Sequence, residues 1–396
     1  MKVLYISPRY HTNQNAIIAG WQQAGDEVRI FAQYEGRVEN HAALHPLVLG
    51  YAPWFERYND WYVHHLKKKD PAAKDMRLRW GVPPIRRIRK EIEAYDPDLV
   101  ILRERNLYTM RCYSLVRRMG IPVIMWNLSP VYAEPGYFKH DLAHFLVRGK
   151  TPLFRFTPTR QIGIDMTGKE RDPYSYFAPF VVEPKCAPEE RSYLQEGRIN
   201  LFEIGKYQDR KNHFLMVRAF ARLKERYPKL HLCIAGECSD DFHRDYYRRL
   251  TEEIEQRGLS REIELYQNLS KEEVDAIYRR SDIYILTSTG EPASITVIEA
   301  MSYSIPAVSG TDNGTADYIR PDVTGEVFAD CDEEDLVRKL DRILENAEET
   351  IPRMGRAAYR SICEDFGFGV YRQTIETMLA DRETYIRERK FMQRRP

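Results

Sequence analysis

The 396-residue sequence has few cysteines and no long apolar run. Its six cysteines are scattered, and none forms a Cys-x-x-Cys pair. This usage is typical of a reducing compartment and speaks against a zinc site or a disulfide framework. No segment has the roughly twenty consecutive apolar residues of a membrane-spanning helix, and no signal peptide is recognisable. We therefore expect a cytoplasmic protein, with peripheral contact to the inner membrane face as an open alternative.

Two common phosphate-binding motifs are also missing. No Gly-x-Gly-x-x-Gly opens a helix, and no Gly-Lys-Ser/Thr follows a strand, so standard dinucleotide-binding and P-loop proteins lose support. No recognition helix or basic groove interleaved with aromatic residues is present, and we expect no nucleic-acid partner. The hydrophobic share of 43% and the charged share of 30% are those of an ordinary globular protein.

The formal net charge of +1 conceals an asymmetry along the chain. Residues 1–180 carry +9 and residues 181–396 carry −8, counting Lys and Arg against Asp and Glu. Most of the basic excess lies in residues 66–90, with ten basic and two acidic residues. Such a division indicates that the first half faces something anionic, although a solvated basic loop explains it equally well.

Apolar runs alternate with amphipathic segments throughout the chain, which predicts an α/β fold with two doubly wound parallel sheets. In the first half the predicted strands are Lys2–Ser7, Glu27–Gln33, Asp98–Leu102 and Ile121–Trp126. In the second half they are Ile199–Gly205, Lys229–Ala235, Glu262–Gln267, Asp282–Thr287 and Pro306–Ser309. The predicted helices of the second half are Asn212–Tyr227, Asp241–Arg257, Lys271–Arg280 and Ile295–Tyr303.

Prolines interrupt this pattern between residues 178 and 198, which predicts a boundary between two domains. We assign residues 1–180 to a first domain, 181–198 to a linker and 199–366 to a second domain. Residues 367–396 are predicted to form a helix and a basic tail that pack back on the first domain. In parallel sheets of this kind, ligands bind at the carboxyl ends of the strands, in a cleft between the two domains here.

Two acidic residues, Glu291 and Glu299, bracket seven residues in the segment STGEPASITVIEAMSYSIPAV. A carboxylate such as Glu299 is costly to bury in apolar surroundings unless a partner pairs with it or donates hydrogen bonds. Ligand hydroxyls would serve that purpose. The remaining interpretations are a loop-capping carboxylate for Glu291 and a buried ion-pair partner for Glu299.

A basic turn follows the first strand of the second half, in the sequence Gly205-Lys206-Tyr-Gln-Asp-Arg210-Lys211. Lys206 and Lys211 stand just past a strand end, where point charges can meet an anionic ligand. Arg210 either assists them or is a surface residue. A solvated loop is the alternative for the whole turn.

These segments together resemble retaining glycosyltransferases of family 4 with the GT-B architecture of two Rossmann-like domains. The match covers residues 199–345 well and the first half mainly through the order of its elements. LFEIGKYQDRKNHFLMVRAF resembles the basic turn of that family, with Gly205, Lys206 and Lys211 in register, and LHLCIAGE resembles its strand ending in glycine, here Gly236. The segment with two glutamates separated by seven residues is the most specific of the three matches.

The resemblance implies roles for particular residues. Glu291, Lys206 and Lys211 would be catalytic, with Glu291 on the donor-sugar hydroxyls and the lysines on the leaving diphosphate. Glu299 would accept hydrogen bonds from the ribose hydroxyls of the nucleotide. The other implied donor-binding residues are Gly205, Arg210, Gly236, Asn268, Leu269, Ala293, Ser294 and Ile295. No metal or other cofactor is expected, because the nucleotide sugar itself is the substrate.

The sequence departs from the family pattern at several places. Lys206 stands where arginine is frequent, and Pro292-Ala293-Ser294 replaces a glycine-rich turn. In the first half, residues 8–13 replace the expected glycine-rich loop, and Trp126-Asn127 stands where many members place a histidine. In a retaining reaction on one face, the leaving phosphate can take the acceptor proton. We therefore assign no protein base.

The expected function is the transfer of a sugar, with retention, from a nucleoside diphosphate sugar to a glycan or lipid-linked glycan. UDP is the expected nucleotide. The alternatives are a phosphorylase or an epimerase that shares the GT-B architecture, and a non-catalytic subunit that binds an active partner. The altered loops of the first half favour the last of these.

Two further patterns carry weaker hypotheses. His140 and His144 have the helical i, i+4 spacing of a metal-binding pair, but a partly exposed pair without metal fits as well. The aromatic residues between Trp54 and Tyr62 fall on one helical face and precede a lysine run. That face either lies on an anionic membrane, packs on its own domain or lines an acceptor groove.

Overall fold

The computed structural model describes residues 1–36, 41–67, 76–137, 152–163 and 165–392. The first sheet has seven parallel strands in the order β3-β2-β1-β4-β5-β7-β9. The strands of the first domain are β1 (Lys2–Ser7), β2 (Glu27–Ala32), β3 (Leu47–Val48), β4 (Leu99–Arg103), β5 (Val123–Trp126), β6 (Tyr132–Ala133), β7 (Arg155–Thr157), β8 (Glu170–Arg171) and β9 (Ser175–Phe177). Strands β6 and β8 form a separate antiparallel pair.

The second sheet has six parallel strands in the order β12-β11-β10-β13-β14-β15. They are β10 (Ile199–Ile204), β11 (Leu230–Gly236), β12 (Ile263–Gln267), β13 (Ile283–Leu286), β14 (Ala307–Gly310) and β15 (Gly325–Phe328). In both sheets the order of the strands reverses once, at β1 and β4 in the first and at β10 and β13 in the second. Such a reversal leaves a crevice at the carboxyl ends of the two strands.

The helices lie between the strands and cover the sheets. Those of the first half are α1 (Asn15–Gln23), α2 (Pro53–Lys67), α3 (Arg77–Trp80), α4 (Ile85–Tyr95) and α5 (Leu107–Arg118). Those of the second half are α6 (His213–Arg226), α7 (Asp241–Gln256), α8 (Lys271–Arg280), α9 (Thr296–Ser302), α10 (Glu333–Leu344), α11 (Ala347–Asp365) and α12 (Phe368–Met392).

The central strands are apolar on both faces because helices cover both. All five residues of β4 and all four of β13 are buried, as expected for strands in the middle of a parallel sheet. On the covering helices the apolar residues have helical spacing. Ile88, Ile92 and Tyr95 of α4 are buried while the rest of that helix is mostly charged.

The last helix, α12, packs against the first sheet and α1. The Tyr371 hydroxyl lies 3.0 Å from that of Tyr5 in β1, and the Trp21 indole N–H donates to Tyr5 at 3.0 Å. Gly20 of α1 provides the space, since a Cβ there would lie 2.2 Å from the Phe368 ring. The C-terminal helix is thereby anchored to the first sheet, although it follows the second in sequence.

The predicted fold class, with two doubly wound parallel sheets, is confirmed. Every strand predicted from the sequence is present, with ends that differ by at most two residues. The helix predicted at Ile295–Tyr303 is present but one residue shorter at each end, since α9 runs from Thr296 to Ser302. The prediction omitted the short strands β3, β6, β7, β8 and β9 and the last strand of the second sheet, β15.

Candidate active site

Two glycines allow the strands of the second sheet to approach each other at their carboxyl ends. A Cβ on Gly236, at the end of β11, would lie 2.0 Å from the carbonyl oxygen of Gly205. A Cβ on Gly205 would lie 3.0 Å from the Lys211 side chain. The turn after β10 therefore folds back closely enough for Lys211 to cross the strand end.

Glu291 and the basic turn meet at the crevice between β10 and β13. Glu291 Oε2 accepts hydrogen bonds from Lys211 Nζ at 2.6 Å and from Arg210 Nη1 at 2.7 Å. Glu291 and Lys211 are largely buried, while Arg210 is about two-fifths exposed. Burial alone raises the pKa of Glu291, but the charges and hydrogen bonds of Lys211 and Arg210 outweigh it and hold the pKa below its usual value. The site therefore holds a carboxylate between two cations.

Buried side chains beneath Glu291, Lys211 and Arg210 hold the backbone of the basic turn in place. The Thr287 hydroxyl lies 2.5 Å from Glu203 Oε1 and 2.9 and 3.2 Å from the carbonyl oxygens of Lys211 and Asn212, so its single proton faces three acceptors. Glu203 is fully buried, and its other oxygen lies 3.1 Å from His213 Nδ1. Asn212 follows Lys211 with a φ of 54°, a left-handed conformation that asparagine tolerates better than most residues. Together these contacts limit the freedom of the Lys211 backbone.

The loop of Glu291 also contacts the first domain. Its backbone N–H donates to the Asp312 carbonyl at 3.0 Å, and its carbonyl accepts from Gly314 N at 2.9 Å. The next residue, Pro292, accepts a hydrogen bond through its carbonyl from the Thr159 hydroxyl at 3.0 Å. Glu291 and its two cations therefore lie where the two domains meet.

Lys206 does not join the cluster. Its ammonium lies 2.7 Å from Glu237 Oε2, and its side chain is half exposed. The hydrogen bond from Lys206 lowers the pKa of Glu237, and a hydrogen bond from Ser239 adds to this effect. Of the three residues to which the resemblance gives catalytic roles, the structure thus brings Glu291 and Lys211 together and leaves Lys206 on a different carboxylate.

Glu299 lies on α9 and lines a cavity of about 470 Å³ between the two domains. Among the residues that the structure describes, none donates a hydrogen bond to its carboxylate or forms an ion pair with it. Burial raises the pKa of Glu299, while the charges of Lys185 and Lys271, which line the same cavity, oppose that rise. A carboxylate that has no donor among the described residues is available to accept hydrogen bonds from a ligand.

The sequence between the two glutamates forms the start of α9 and its approach. Ser294 is buried; its hydroxyl lies 2.8 Å from that of Thr296, and its carbonyl accepts from Thr315. Ala293 is partly buried, and Ile295 lines the cavity. These three small or apolar residues shape the wall between Glu291 and Glu299.

Asn268 and Leu269 follow β12 at the same edge of the sheet. Asn268 has a φ of 52°, and its side chain both accepts from and donates to the backbone of Cys238, at 2.9 and 3.1 Å. Leu269 packs against the apolar core. The structure therefore gives Asn268 a role in holding two strand-end loops together.

Sequence reasoning missed several residues of the cavity. Asn13, Ala16 and Ala43 of the first domain line it opposite Lys185 and Glu299. No local sequence pattern marks these residues, because their common position depends on how the two domains meet. Lys271 had a weak signal as a basic residue at the start of a helix that follows a strand. His140 and His144 lie outside the described residues.

Solved structures share the fold of this chain. The chain aligns with the crystal structure of a glycosyltransferase from Rickettsia africae ESF-5, with a TM-score of 0.68 and 15% identity, over 98% of each chain. It aligns with Anabaena Alr3699/HepE in complex with UDP, with a TM-score of 0.69 and 13% identity, over 96% of this chain and 100% of that one. The fold is that of GT-B glycosyltransferases, as the resemblance predicted.

Residues 189–361 match the family of glycosyl transferases group 1. The mannosylfructose-phosphate synthase of Agrobacterium fabrum is 32% identical over 115 residues, 28% of this chain and 25% of that protein. The sulfoquinovosyl transferase SQD2 of Arabidopsis thaliana is 23% identical over 379 residues, 89% of this chain and 67% of that protein. A mannosyltransferase of Caenorhabditis elegans is matched over 40% of its length, at 25% identity. The chain thus spans less than half of two of these relatives.

Proposed function

We propose that this protein is a retaining glycosyltransferase that transfers a sugar from a UDP-sugar to a glycan or lipid-linked glycan acceptor. The observation that carries the proposal is the Glu291 carboxylate held between Lys211 and Arg210 at the crevice of the second sheet. The match of residues 189–361 to the group 1 family and the UDP bound to the Anabaena protein support it.

In this proposal the nucleotide occupies the cavity between the domains. Glu299 accepts hydrogen bonds from the two ribose hydroxyls, which provides the partners that its carboxylate lacks among the described residues. The base lies toward Asn268 and Leu269. A charged acceptor strengthens such hydrogen bonds to about 1.5–3 kcal/mol each.

The chemistry follows from the charges. The bond between the anomeric carbon and the diphosphate oxygen breaks, and negative charge develops on that oxygen. Lys211 and Arg210 stabilise this charge, the kind of preorganised contribution that is usually largest in catalysis. The acceptor oxygen bonds to the anomeric carbon on the same face, and its proton passes to the departing diphosphate. Glu291 orients the two cations beforehand and then accepts hydrogen bonds from the sugar hydroxyls.

An anionic membrane surface is a further proposed partner, with the reaction on its cytoplasmic side. Trp54, Tyr58 and Trp61 of α2 are about half exposed on one helical face, and the rings of Tyr58 and Trp61 stack. Aromatic residues at a membrane interface place their rings among the lipid headgroups. No helix in the described part of the chain is long and apolar enough to cross a bilayer.

Thermal unfolding with UDP, GDP and ADP tests the donor site. We expect UDP to raise the melting temperature of the wild type most, since a ligand at a hundred times its Kd stabilises by about 2.7 kcal/mol. Glu299→Gln should weaken UDP binding about tenfold or more, because the amide loses a charged acceptor. Glu348→Gln, a change at an exposed glutamate of α11, is the matched control. A wild type that no nucleotide stabilises would contradict the proposal.

A further inference from the structure

The carboxyl edge of the first sheet holds a buried cation. Arg103 ends β4, next to β1 at the point where the strand order reverses, and it is only 6% exposed. Its guanidinium lies over the Trp126 ring at 4.3 Å, and Nη1 reaches Asn13 Oδ1 at 3.5 Å. Within the described part of the chain, no carboxylate forms an ion pair with it. A buried charge of this kind is costly unless it is paired.

The charged groups nearest Arg103 are a second guanidinium and one carboxylate. Arg9, after β1, adds a second guanidinium whose charge acts on Arg103. Glu104 is the neighbouring carboxylate; it is half exposed and lies 3.9 Å from His11 Nε2. Burial, and then the charges of Arg103 and Arg9, lower the pKa of His11 to about 3, so this imidazole is neutral. Burial lowers the pKa of Arg103 to about 10, which still leaves it protonated at neutral pH.

The start of α1 lies close to Arg103, because Asn13, two residues before the helix, contacts the guanidinium. The side chain of Gln14, the residue before α1, does not cap the helix. It is 1% exposed, and its Nε2 is enclosed without a hydrogen-bond partner among the described residues. The first backbone N–H groups of a helix and its dipole attract anions. Asn13, which contacts Arg103, also lines the cavity that contains Glu299.

We propose that Arg103, Asn13 and the start of α1 bind a phosphate group of the acceptor. A phosphate offers several oxygens to hydrogen-bond donors, and a guanidinium matches its geometry. Binding of the anion stands on these contacts alone, while its place in the reaction rests on the proposed function. The acceptor is then a phosphorylated one, held at the strand reversal of the first sheet while the donor occupies that of the second.

Titration of the UDP-saturated protein with inorganic phosphate, followed by calorimetry, tests the site. Saturation with UDP fills the donor diphosphate position, so that phosphate reports on the second site. We expect Arg103→Gln to weaken phosphate binding at least tenfold and to leave UDP affinity within twofold. Arg111→Gln, at an exposed arginine of α5, should bind phosphate as the wild type does. Asn13→Asp is the second variant, since its carboxylate would neutralise Arg103 without removing it.

The outcomes separate the two proposals. Phosphate binding that Arg103→Gln and Asn13→Asp leave unchanged would overturn the phosphate site. If the wild type binds no UDP but binds phosphate through Arg103, the donor proposal fails and the phosphate site stands. Vesicles of phosphatidylcholine with phosphatidic acid identify the source of the phosphate. Retention that depends on Arg103 indicates a lipid headgroup, and binding of inorganic phosphate alone indicates a soluble acceptor.

Discussion

At the scale of single residues, Lys206 and Lys211 differ although the sequence presents them alike. Lys211 is largely buried and donates to Glu291, whereas Lys206 is half exposed and pairs with Glu237. A desolvated cation acts on a developing charge more strongly than one in contact with water. The two lysines of the basic turn should therefore contribute unequally to catalysis.

We expect Lys211→Met to lower kcat about 100- to 1,000-fold, the usual effect of removing one preorganised donor. Lys206→Met should lower kcat less than about tenfold, because a half-exposed ion pair contributes about 0–1 kcal/mol. Steady-state kinetics with a UDP-sugar measures both. Equal losses in the two variants would show that Lys206 leaves Glu237 when the donor binds.

The sequence predicted part of this residue-scale arrangement. It placed Glu291 and Lys211 in one site, because both follow strands whose carboxyl ends share an edge. It left open whether Arg210 takes part, and the structure places the Arg210 guanidinium on Glu291. The pairing of Lys206 with Glu237 was not predictable, since it depends on the side-chain directions of two loops after β10 and β11.

At the scale of elements, prediction succeeded where strands are apolar throughout and failed where they are short. Strands β10, β11, β13 and β14 are mostly buried, so their hydrophobic runs stand out from the amphipathic helices. The last strand, β15, has only four residues, including Gly325 and Glu326. Glu326 is buried and paired with Lys339 at 2.8 Å. A glycine and a charged residue in so short a strand leave no apolar run by which the sequence would reveal it.

The strand ends β10 and β11 also carry a prediction about stability. Gly236→Ala should destabilise the protein by about 1–3 kcal/mol, the usual cost of overpacking, because the new Cβ meets the Gly205 carbonyl. Urea unfolding measures the change. Gly369→Ala in α12 is the matched control, since a Cβ there meets nothing within 4 Å. That control should be neutral or stabilising by up to about 1 kcal/mol. A Gly236→Ala protein as stable as the wild type would contradict the close approach.

At the scale of the whole molecule, the two domains together form a cavity whose lining neither half of the sequence indicates by itself. The cavity has one wall from α1 and the segment before β3, and another from the linker, α8 and α9. Hydrogen bonds from Thr159 to Pro292 and from Gly163 to Thr311 join the domains beside it. The positions of these walls depend on contacts between residues more than a hundred positions apart. Local patterns therefore predicted the residues of the second domain but not their partners in the first.

The charge difference between the halves makes the molecule electrostatically polar. Residues 1–180 carry +9 and residues 181–396 carry −8, so an anionic surface attracts the first domain and repels the second. The exposed aromatic face of α2 belongs to the attracted half. Electrostatic attraction and the burial of these rings should therefore act together at a membrane.

We expect flotation with anionic vesicles to recover the wild type at low salt and to lose it as salt rises, because salt screens surface charge. Replacing both Trp54 and Trp61 by serine should abolish recovery at every salt concentration, since charge alone holds the protein only weakly. Phe242→Ser removes an equally exposed aromatic residue, 55% exposed, from the acidic half and should leave recovery unchanged. If the double variant floats like the wild type, the aromatic face of α2 has another partner, and the basic surface alone accounts for the attraction.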